Sequence, residues 1–153
     1  MNKKIIYIVI VLVLIIVVFL FFKFRNTKIY LDNSFYNEGN FIEVSDDDLN
    51  NIKSKNYVLF TYNNFCSFSV PCEEVFEEFM KKYKIDFLKI KFEKFKNTKY
   101  YKSVKYGPSV LVIKNNKIVS YLDAEKDEDI KKYENSDEFE KWIKNYIYLE
   151  PMK

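Results

Sequence analysis

The chain has 153 residues, 48% hydrophobic and 31% charged, which suits one globular domain joined to a more apolar segment. The chain contains no histidine, which excludes hydrolases that use a histidine base. Its two cysteines are too few for a closed structural zinc site. Without Lys3 and Lys4, the 25 basic residues fall to 23 against 22 acidic ones, so no nucleic-acid-binding footprint is present. We therefore expect no metal, no cofactor and no nucleic acid partner. Abundant lysine, isoleucine and asparagine are typical of a bacterial genome rich in A and T.

An apolar run without charge, glycine or proline occupies residues 5–22. At about 1.5 Å per helical residue, it crosses most of a hydrocarbon layer about 30 Å thick. A secretory signal would have a shorter core, with small residues before a cleavage site. The run predicts a single transmembrane helix within an anchor at residues 1–22, with a buried core helix as the minor alternative.

Basic residues stand on both sides of this run. Lys3 and Lys4 precede it, whereas Lys23, Arg25 and Lys28 follow it, so charge counting does not decide the orientation. Two cysteines close in sequence favour an oxidising exterior, where a disulfide can form. We expect a single-pass protein of the cell membrane whose soluble domain is extracytoplasmic.

Residues 23–39 are polar with scattered aromatic residues, and we interpret them as a juxtamembrane linker, with a short strand at residues 29–31. The compact domain is predicted at residues 40–149, with a tail at 150–153. A short strand at residues 41–44 precedes Ser45, which with three aspartates is typical of a helix start, and this helix should reach about Lys55. The run Tyr57–Tyr62 is typical of a central strand buried on both faces.

A long amphipathic helix should follow from Cys72, since apolar residues recur there at helical spacing opposite a charged face. These apolar residues are Val75, Phe76, Phe79, Met80 and Tyr83. Residues 85–92 alternate as a strand parallel to the central one, and a short helix is predicted at residues 99–105.

A β-hairpin is predicted next, from residues 109–113 to residues 118–122, with Asn115 and Asn116 at the turn where positive φ is needed. Residues 123–135 carry acids near the spacing of a calcium loop, yet Glu128 stands where the sharp turn needs glycine, which favours a solvated loop. Asn135 and Ser136 should begin a final helix that packs on the sheet and ends before Pro151. Its apolar stripe is Phe139, Trp142, Ile143, Tyr146 and Ile147.

Both cysteines lie at the junction between the central strand and the long helix. Pro71 fits the first turn of a helix, which places Cys72 in the same turn and Cys66 in the preceding loop. In a continuous helix their Cα atoms would be about 9 Å apart, beyond the limit of ~7 Å for a disulfide. The proline removes that obstacle.

This order of elements resembles the thioredoxin fold over residues 40–149. Residues 41–49 look like its first strand and helix, and residues 105–119 look like its cis-proline hairpin. The resemblance implies an α/β fold with a central mixed sheet flanked by helices. It also implies that Pro108 is a cis-proline facing the cysteines and that the backbone of Gly107 pairs with an extended substrate. Membrane-tethered thioredoxin-like proteins, including bacteriocin transport accessory proteins, share the layout of anchor plus domain.

The cysteine spacing departs from that family. Its pattern has two residues between the cysteines, whereas Ser69 stands where the first cysteine should be and Cys66 lies three residues earlier. Phe65 replaces the usual tryptophan, and the central strand lacks the family's buried acidic residue.

A redox dithiol needs one thiolate that attacks a disulfide and a second thiol that resolves the mixed intermediate. Cys66, flanked by Phe65 and Phe68, is the candidate for first contact with a protein substrate, and Cys72 is the candidate resolver, although the roles could be reversed. The helix dipole favours a thiolate at Cys72, whereas Glu73 and its neighbour Glu74 oppose it.

We therefore expect a membrane-tethered thiol-disulfide oxidoreductase that acts on extracytoplasmic protein thiols or disulfides through Cys66 and Cys72. The electron donor and the direction of electron flow stay open. The alternative is a non-catalytic module that binds a peptide or transporter partner near Pro108, with a static or vestigial cysteine pair.

Overall fold

The computed structural model describes residues 12–14, 28–63 and 71–152. Residues 12–14 are helical, and the rest of the predicted transmembrane segment lies outside the described residues. Among the residues that are described, none of the helices has the length and apolar character needed to span a bilayer. The anchor therefore stays a prediction.

The described chain forms a five-stranded mixed sheet in the order β1-β3-β2-β4-β5. The strands are β1 (Phe41–Glu43), β2 (Tyr57–Tyr62), β3 (Phe87–Lys91), β4 (Ser109–Lys114) and β5 (Lys117–Asp123). β3 lies parallel to both β1 and β2, whereas β4 is antiparallel to β2 and to β5. The central position of β2, its parallel pairing with β3 and the hairpin are thus confirmed. Asn115 and Asn116 adopt the positive φ values, 50° and 59°, that the turn requires.

Helices cover both faces of this sheet. They are α1 (Asp46–Asn50), α2 (Cys72–Tyr83), α3 (Phe92–Phe95), α4 (Asp127–Glu134) and α5 (Ser136–Ile143), with short 3-10 helices at Asn33–Phe35 and Lys99–Lys102. Along β2, Phe60 packs on Phe76 of α2, with ring centroids 5.1 Å apart. Tyr57 points to the opposite face, where its hydroxyl lies 2.6 Å from that of Tyr100. The sequence did not predict α3, and the predicted helix at residues 99–105 is the shorter 3-10 helix.

β2 is almost completely buried, as is its neighbour β4. The first five residues of β2 are 0% exposed, because β-branched and aromatic side chains alternate between two covered faces. Phe76 packs in turn on Phe139 of α5, with ring centroids 4.6 Å apart. Burying such a side chain contributes about 1.5–3 kcal/mol, so this aromatic contact between sheet and helices anchors the core.

Both predicted helix starts are confirmed. The Ser45 hydroxyl accepts from the Asp48 amide at 3.1 Å while the Asp48 carboxylate accepts from the Ser45 amide at 2.8 Å, which closes a capping box. The Asn135 side chain accepts from the Glu138 amide at 3.1 Å. Both helices are shorter than predicted. Leu49 is the one buried residue of α1, and α5 ends at Ile143, before Ile147 pairs with Ile29.

The predicted linker at residues 23–39 differs from the structure over its described part, residues 28–39. Ile29, Leu31 and Phe35 are at most 5% exposed and belong to the core. Ile29 forms a parallel bridge with Ile147. Gly39 has φ +83°, and a Cβ there would lie 2.3 Å from the Met80 carbonyl oxygen. The apolar residues of this segment are spaced irregularly, so their burial depends on distant elements that the local pattern does not reveal.

The predicted acidic loop at residues 123–135 is wrong, because α4 occupies Asp127–Glu134. Acidic residues in its first turn and Lys131 and Lys132 in its last turn complement the helix dipole, so the same charges that suggest a solvated loop also suit a helix. Within the described ranges, no group of three or more His, Cys, Asp or Glu side chains is arranged to hold a metal ion.

Glu140 of α5 ties that helix to the end of α2. Its carboxylate accepts from Lys82 Nζ at 2.8 Å and from the Tyr83 hydroxyl at 2.7 Å, and it also pairs with Lys144. The Lys144 contact, followed by those of Lys82 and Tyr83, lowers the pKa of Glu140 from 4.5 to about 2.

We expect Glu140→Gln to lower the free energy of unfolding at neutral pH by about 1 kcal/mol, since these ion pairs are screened by solvent. A depressed carboxyl pKa stabilises the fold above the ordinary value of 4.5, and that contribution is lost as the pH falls toward 2. The difference between wild type and variant should therefore shrink on acidification, as measured by urea unfolding at several pH values. Glu138→Gln, which removes a more exposed pair with Lys141, is the control and should have less effect. A difference that grows on acidification would contradict this assignment.

Candidate active site

Cys72 is the first residue of α2 and is 2% exposed. Pro71 caps this helix with φ −57°, and its carbonyl accepts from the Glu74 amide at 3.0 Å. The proline thus lies one position before the helical turn rather than inside it. Cys66, Phe65 and Phe68 fall outside the described residues, so their predicted roles stay predictions.

The Gly107–Pro108 peptide bond is cis, the isomer that the resemblance implies at this position. The segment lies beside the end of β2. Asn63, the first residue after β2, donates from Nδ2 to the Gly107 carbonyl at 2.8 Å. The Thr61 hydroxyl oxygen accepts from the Ser109 amide at 3.1 Å. The structure therefore brings the strand that leads into the cysteine loop against the cis peptide. We call this end of the sheet the cysteine end.

Tyr133 of α4 contacts the cis-proline segment and lies near Cys72. Its hydroxyl lies 3.1 Å from the Pro108 carbonyl oxygen and 2.8 Å from that of Leu122, and its single proton can be donated to one of them at a time. Burial raises the pKa of Tyr133 well above its ordinary value, and the negative charges of Asp129 and Cys72 raise it further. The buried phenol thus contacts the Pro108 segment, and Cys72 is near enough for its charge to act on the phenol.

Asp123 and Asp129 fix the helix that carries this phenol. Asp129 Oδ2 accepts from the Asp123 amide at 3.0 Å, and its other oxygen accepts from Lys132 Nζ at 2.6 Å. Asp123 and Asp129 are 8% and 7% exposed. This network fixes the start of α4 against the end of β5, which holds Tyr133 in place.

Lys89 of β3 compensates one of the acidic residues beside Cys72. Its Nζ lies 2.7 Å from Glu73 and 3.6 Å from Glu43, and it stands over the Tyr62 ring at 4.5 Å from the centroid. Burial alone would lower the pKa of Lys89, but the hydrogen bond to Glu73 and the charges of Glu73 and Glu43 outweigh it and raise the pKa. The predicted opposition of Glu73 to a Cys72 thiolate is therefore offset by a neighbouring cation.

Gly107 has two constraints that the sequence did not reveal. Its carbonyl already accepts from Asn63, so a substrate strand would share that acceptor. A Cβ at Gly107 would lie 2.6 Å from Phe92 Cδ2, so the Phe92 ring leaves no room for a side chain. The substrate-binding role of Gly107 stays a prediction.

Solved structures with similar folds are known. Thioredoxin from Schistosoma mansoni matches with a TM-score of 0.51 and 24% identity, over 72% of this chain and 99% of that chain. A mutant thioredoxin from Halobacterium salinarum matches with a TM-score of 0.52 and 18% identity, over 75% of this chain and 97% of that one. No protein-family model and no curated protein matches the sequence. The described domain therefore has a thioredoxin-like α/β fold, with a mixed sheet flanked by helices.

The sequence did not identify Tyr133, Asn63 or Lys89 as site residues. Tyr133 lies in the segment that its acidic residues marked as a loop, and a search for helical spacing of Ile130 and Tyr133 could have found its helix. Asn63 and Lys89 act through contacts between distant segments, for which no local signal exists.

We expect Tyr133→Phe to lower the free energy of unfolding by about 1–3 kcal/mol, because two buried carbonyls lose their shared donor while the ring is kept. Urea unfolding measures this change. Tyr106→Phe is a matched control, since Tyr106 lies near the same cis peptide but is 55% exposed, and its variant should remain within about 0.5 kcal/mol of wild type. Equal stabilities of the two variants would show that the Tyr133 hydroxyl contributes nothing.

We expect Gly107→Ala to destabilise the domain by about 1–3 kcal/mol through overpacking against Phe92. In a Phe92→Ala background the same change should be less damaging, by at least about 0.5 kcal/mol, because the clashing ring is gone. A double-mutant cycle of unfolding free energies measures this coupling. Strict additivity of the two changes would place the constraint on Gly107 elsewhere.

Proposed function

We propose that this protein is a membrane-tethered thiol-disulfide oxidoreductase that acts on extracytoplasmic protein thiols or disulfides through Cys66 and Cys72. The observation that supports this most is the arrangement around Tyr133, which has the Cys72 thiol and the cis Gly107–Pro108 segment as neighbours at one end of the sheet. Cys66 follows β2 by four residues, and β2 ends at this same place.

In the proposed reaction, the Cys66 thiolate attacks one sulfur of a substrate disulfide. A mixed disulfide forms and one substrate thiolate leaves. The Cys72 thiolate then attacks the Cys66 sulfur, which releases the second substrate thiol and leaves a Cys66–Cys72 disulfide. Two electrons pass to the substrate, and the reverse sequence oxidises a substrate dithiol.

Burial of Cys72 supports its assignment as the resolving cysteine. At 2% exposure its sulfur cannot be approached by a folded protein disulfide, whereas a neighbouring cysteine on the same chain needs no such access. Its place at the amino end of the twelve-residue helix α2 favours the thiolate that resolution requires. The proposed role of Pro108 is to hold an extended substrate segment beside the cysteines.

We expect both Cys66→Ser and Cys72→Ser to abolish insulin reduction with dithiothreitol as the electron donor, since each exchange needs two sulfurs. Ser67→Ala is the control for a change in the same loop and should keep its activity. Cys72→Ser should accumulate a mixed disulfide with a substrate, because the resolving thiol is missing, whereas Cys66→Ser should not. Non-reducing electrophoresis with mass spectrometry measures the adducts.

A folded wild-type protein that neither reduces insulin nor forms any mixed disulfide would contradict the proposal and favour the non-catalytic binding module. Adducts on Cys66→Ser instead of Cys72→Ser would reverse the two roles. A reduction potential for the pair would rank reductase, isomerase and oxidant activities on one scale. Labelling of intact cells with a bulky impermeant thiol reagent, after reduction, tests the extracytoplasmic location.

A further inference from the structure

The N-terminal segment is hydrogen-bonded to the rest of the folded domain at Ile29. The Ile29 amide donates to the Tyr146 carbonyl at 2.8 Å, and the Ile29 carbonyl accepts from the Tyr148 amide at 2.9 Å. Ile29 itself is 5% exposed. The chain is therefore fixed to the domain from Ile29 onward, not from the end of a long polar linker.

This place lies at the end of the sheet opposite the cysteine end. The Asp32 amide donates to the Asn56 carbonyl at 2.9 Å, and the Lys55 amide donates to Asp32 Oδ2 at 2.7 Å. Residues 55 and 56 precede β2, whereas the cysteine loop follows it. Six residues of strand span about 17–20 Å, which is the separation of the two ends along β2.

The long helix gives the same separation independently. Cys72 begins α2, whereas Gly39 packs on the Met80 carbonyl and Glu140 binds Lys82 near the other end of that helix. Twelve helical residues span about 18 Å. We call the end of the domain that carries Ile29, Asp32, Asn56 and Lys84 the tether end.

The length of chain before the tether end limits its distance from a bilayer. The predicted transmembrane run ends at Phe22, and seven residue steps from Phe22 to Ile29 cover at most about 25 Å in any conformation. The headgroup region alone occupies about 5–8 Å of this on each side of the bilayer. The tether end therefore lies within about 20 Å of the headgroups, a distance no larger than the domain itself.

The exposed chemistry of the tether end fits a lipid surface. Tyr30 and Tyr148 stack with ring centroids 4.2 Å apart, and they line an open cleft with Met152, in which Glu150 is the one acidic residue among those that the structure describes. Tyr148 is 41% exposed and Met152 is 62% exposed. Tyrosine is enriched at the level of membrane headgroups, where its ring meets apolar chains and its hydroxyl meets water.

Four lysines lie at the same end of the domain as this aromatic pair. The exposed lysines are Lys28, Lys55, Lys84 and Lys117. Lys117 belongs to the hairpin whose turn residue Asn116 donates to the Lys55 carbonyl at 3.1 Å. Basic side chains are attracted to an anionic bilayer surface.

We propose that the domain docks on the anionic headgroup surface through Tyr30, Tyr148 and the lysines of the tether end, so that its cysteine end points away from the bilayer. This orientation rests on the membrane anchoring in the proposed function. It makes substrates in the aqueous compartment, and not thiols at the lipid surface, the partners of Cys66 and Cys72. This orientation is the same on either side of the membrane, because it is defined relative to the leaflet that the domain faces.

The test uses the full chain with Cys66→Ser and Cys72→Ser, in vesicles of phosphatidylcholine and phosphatidylglycerol that carry a nitroxide on some headgroups. A fluorophore is placed at one new cysteine, either Lys117→Cys at the tether end or Tyr106→Cys at the cysteine end. Quenching by the nitroxide acts at short range, so it should be severalfold stronger at position 117 than at position 106. In the Lys117→Cys protein, Tyr30→Ser with Tyr148→Ser should reduce the quenching, whereas Tyr106→Ser, which removes an exposed tyrosine elsewhere, should not.

Equal quenching at both positions, stronger quenching at position 106, or failure of the protein to float with vesicles would overturn the proposal. Unchanged quenching after loss of both tyrosines would remove the aromatic contact from it. Insulin reduction by the wild-type protein in the same vesicles separates the two proposals. If turnover persists while the asymmetry is absent, the orientation alone is wrong; if the asymmetry is present without turnover, the redox function alone is wrong.

Discussion

Burial of β2 on both faces is the constraint on which the rest of this domain depends. A strand buried on both faces pairs with a neighbouring strand on each side, here β3 and β4. The residues at each of its two ends then hold other segments of the chain in place. At one end, Asn56 holds the incoming N-terminal segment and the hairpin turn. At the other, Thr61 and Asn63 hold the cis peptide. The strand thus separates an attachment site from a candidate reaction site by its own length.

Two of the carboxylates around Cys72 and Tyr133 are paired with lysines. Glu73, next to Cys72 in the sequence, is paired with Lys89, and Asp129, whose charge acts on the Tyr133 phenol, is paired with Lys132. The Asp129–Lys132 pair is largely buried, whereas the Glu73 side chain is 38% exposed, so solvent also screens its charge. The central strand lacks a buried acid, and Phe60 packs on Phe41 where such a group would need a polar partner. The described surroundings of Cys72 thus include the Tyr133 phenol and the Glu73 carboxylate with its lysine partner.

Local patterns predicted the elements that carry their own signals. Tyr57–Tyr62 was correct to the residue, because a continuous β-prone run has few alternatives, and Ser45 and Asn135 were recognised by their capping chemistry. The patterns failed where burial is decided by distant residues, as for Ile29 against Ile147. They also failed at residues 123–135, where the same acidic residues suit a solvated loop and the first turn of a helix. The candidate site could be predicted in part: Cys72 and the cis peptide follow from motif and resemblance, whereas Tyr133 required the fold.

A static disulfide would add little to the stability of the segment around Cys72. A static disulfide over so short a loop would stabilise a segment that Pro71 and α2 already hold, by about 2–3 kcal/mol at most. The structure instead places a buried phenol, within reach of the Pro108 carbonyl, close enough to Cys72 for the thiolate charge to raise its pKa. A hydroxyl in that position can donate to the Pro108 carbonyl or turn to Leu122 without moving the backbone. The phenol therefore holds the Pro108 segment in position, and the two carbonyls accept its proton whatever the oxidation state of the cysteines.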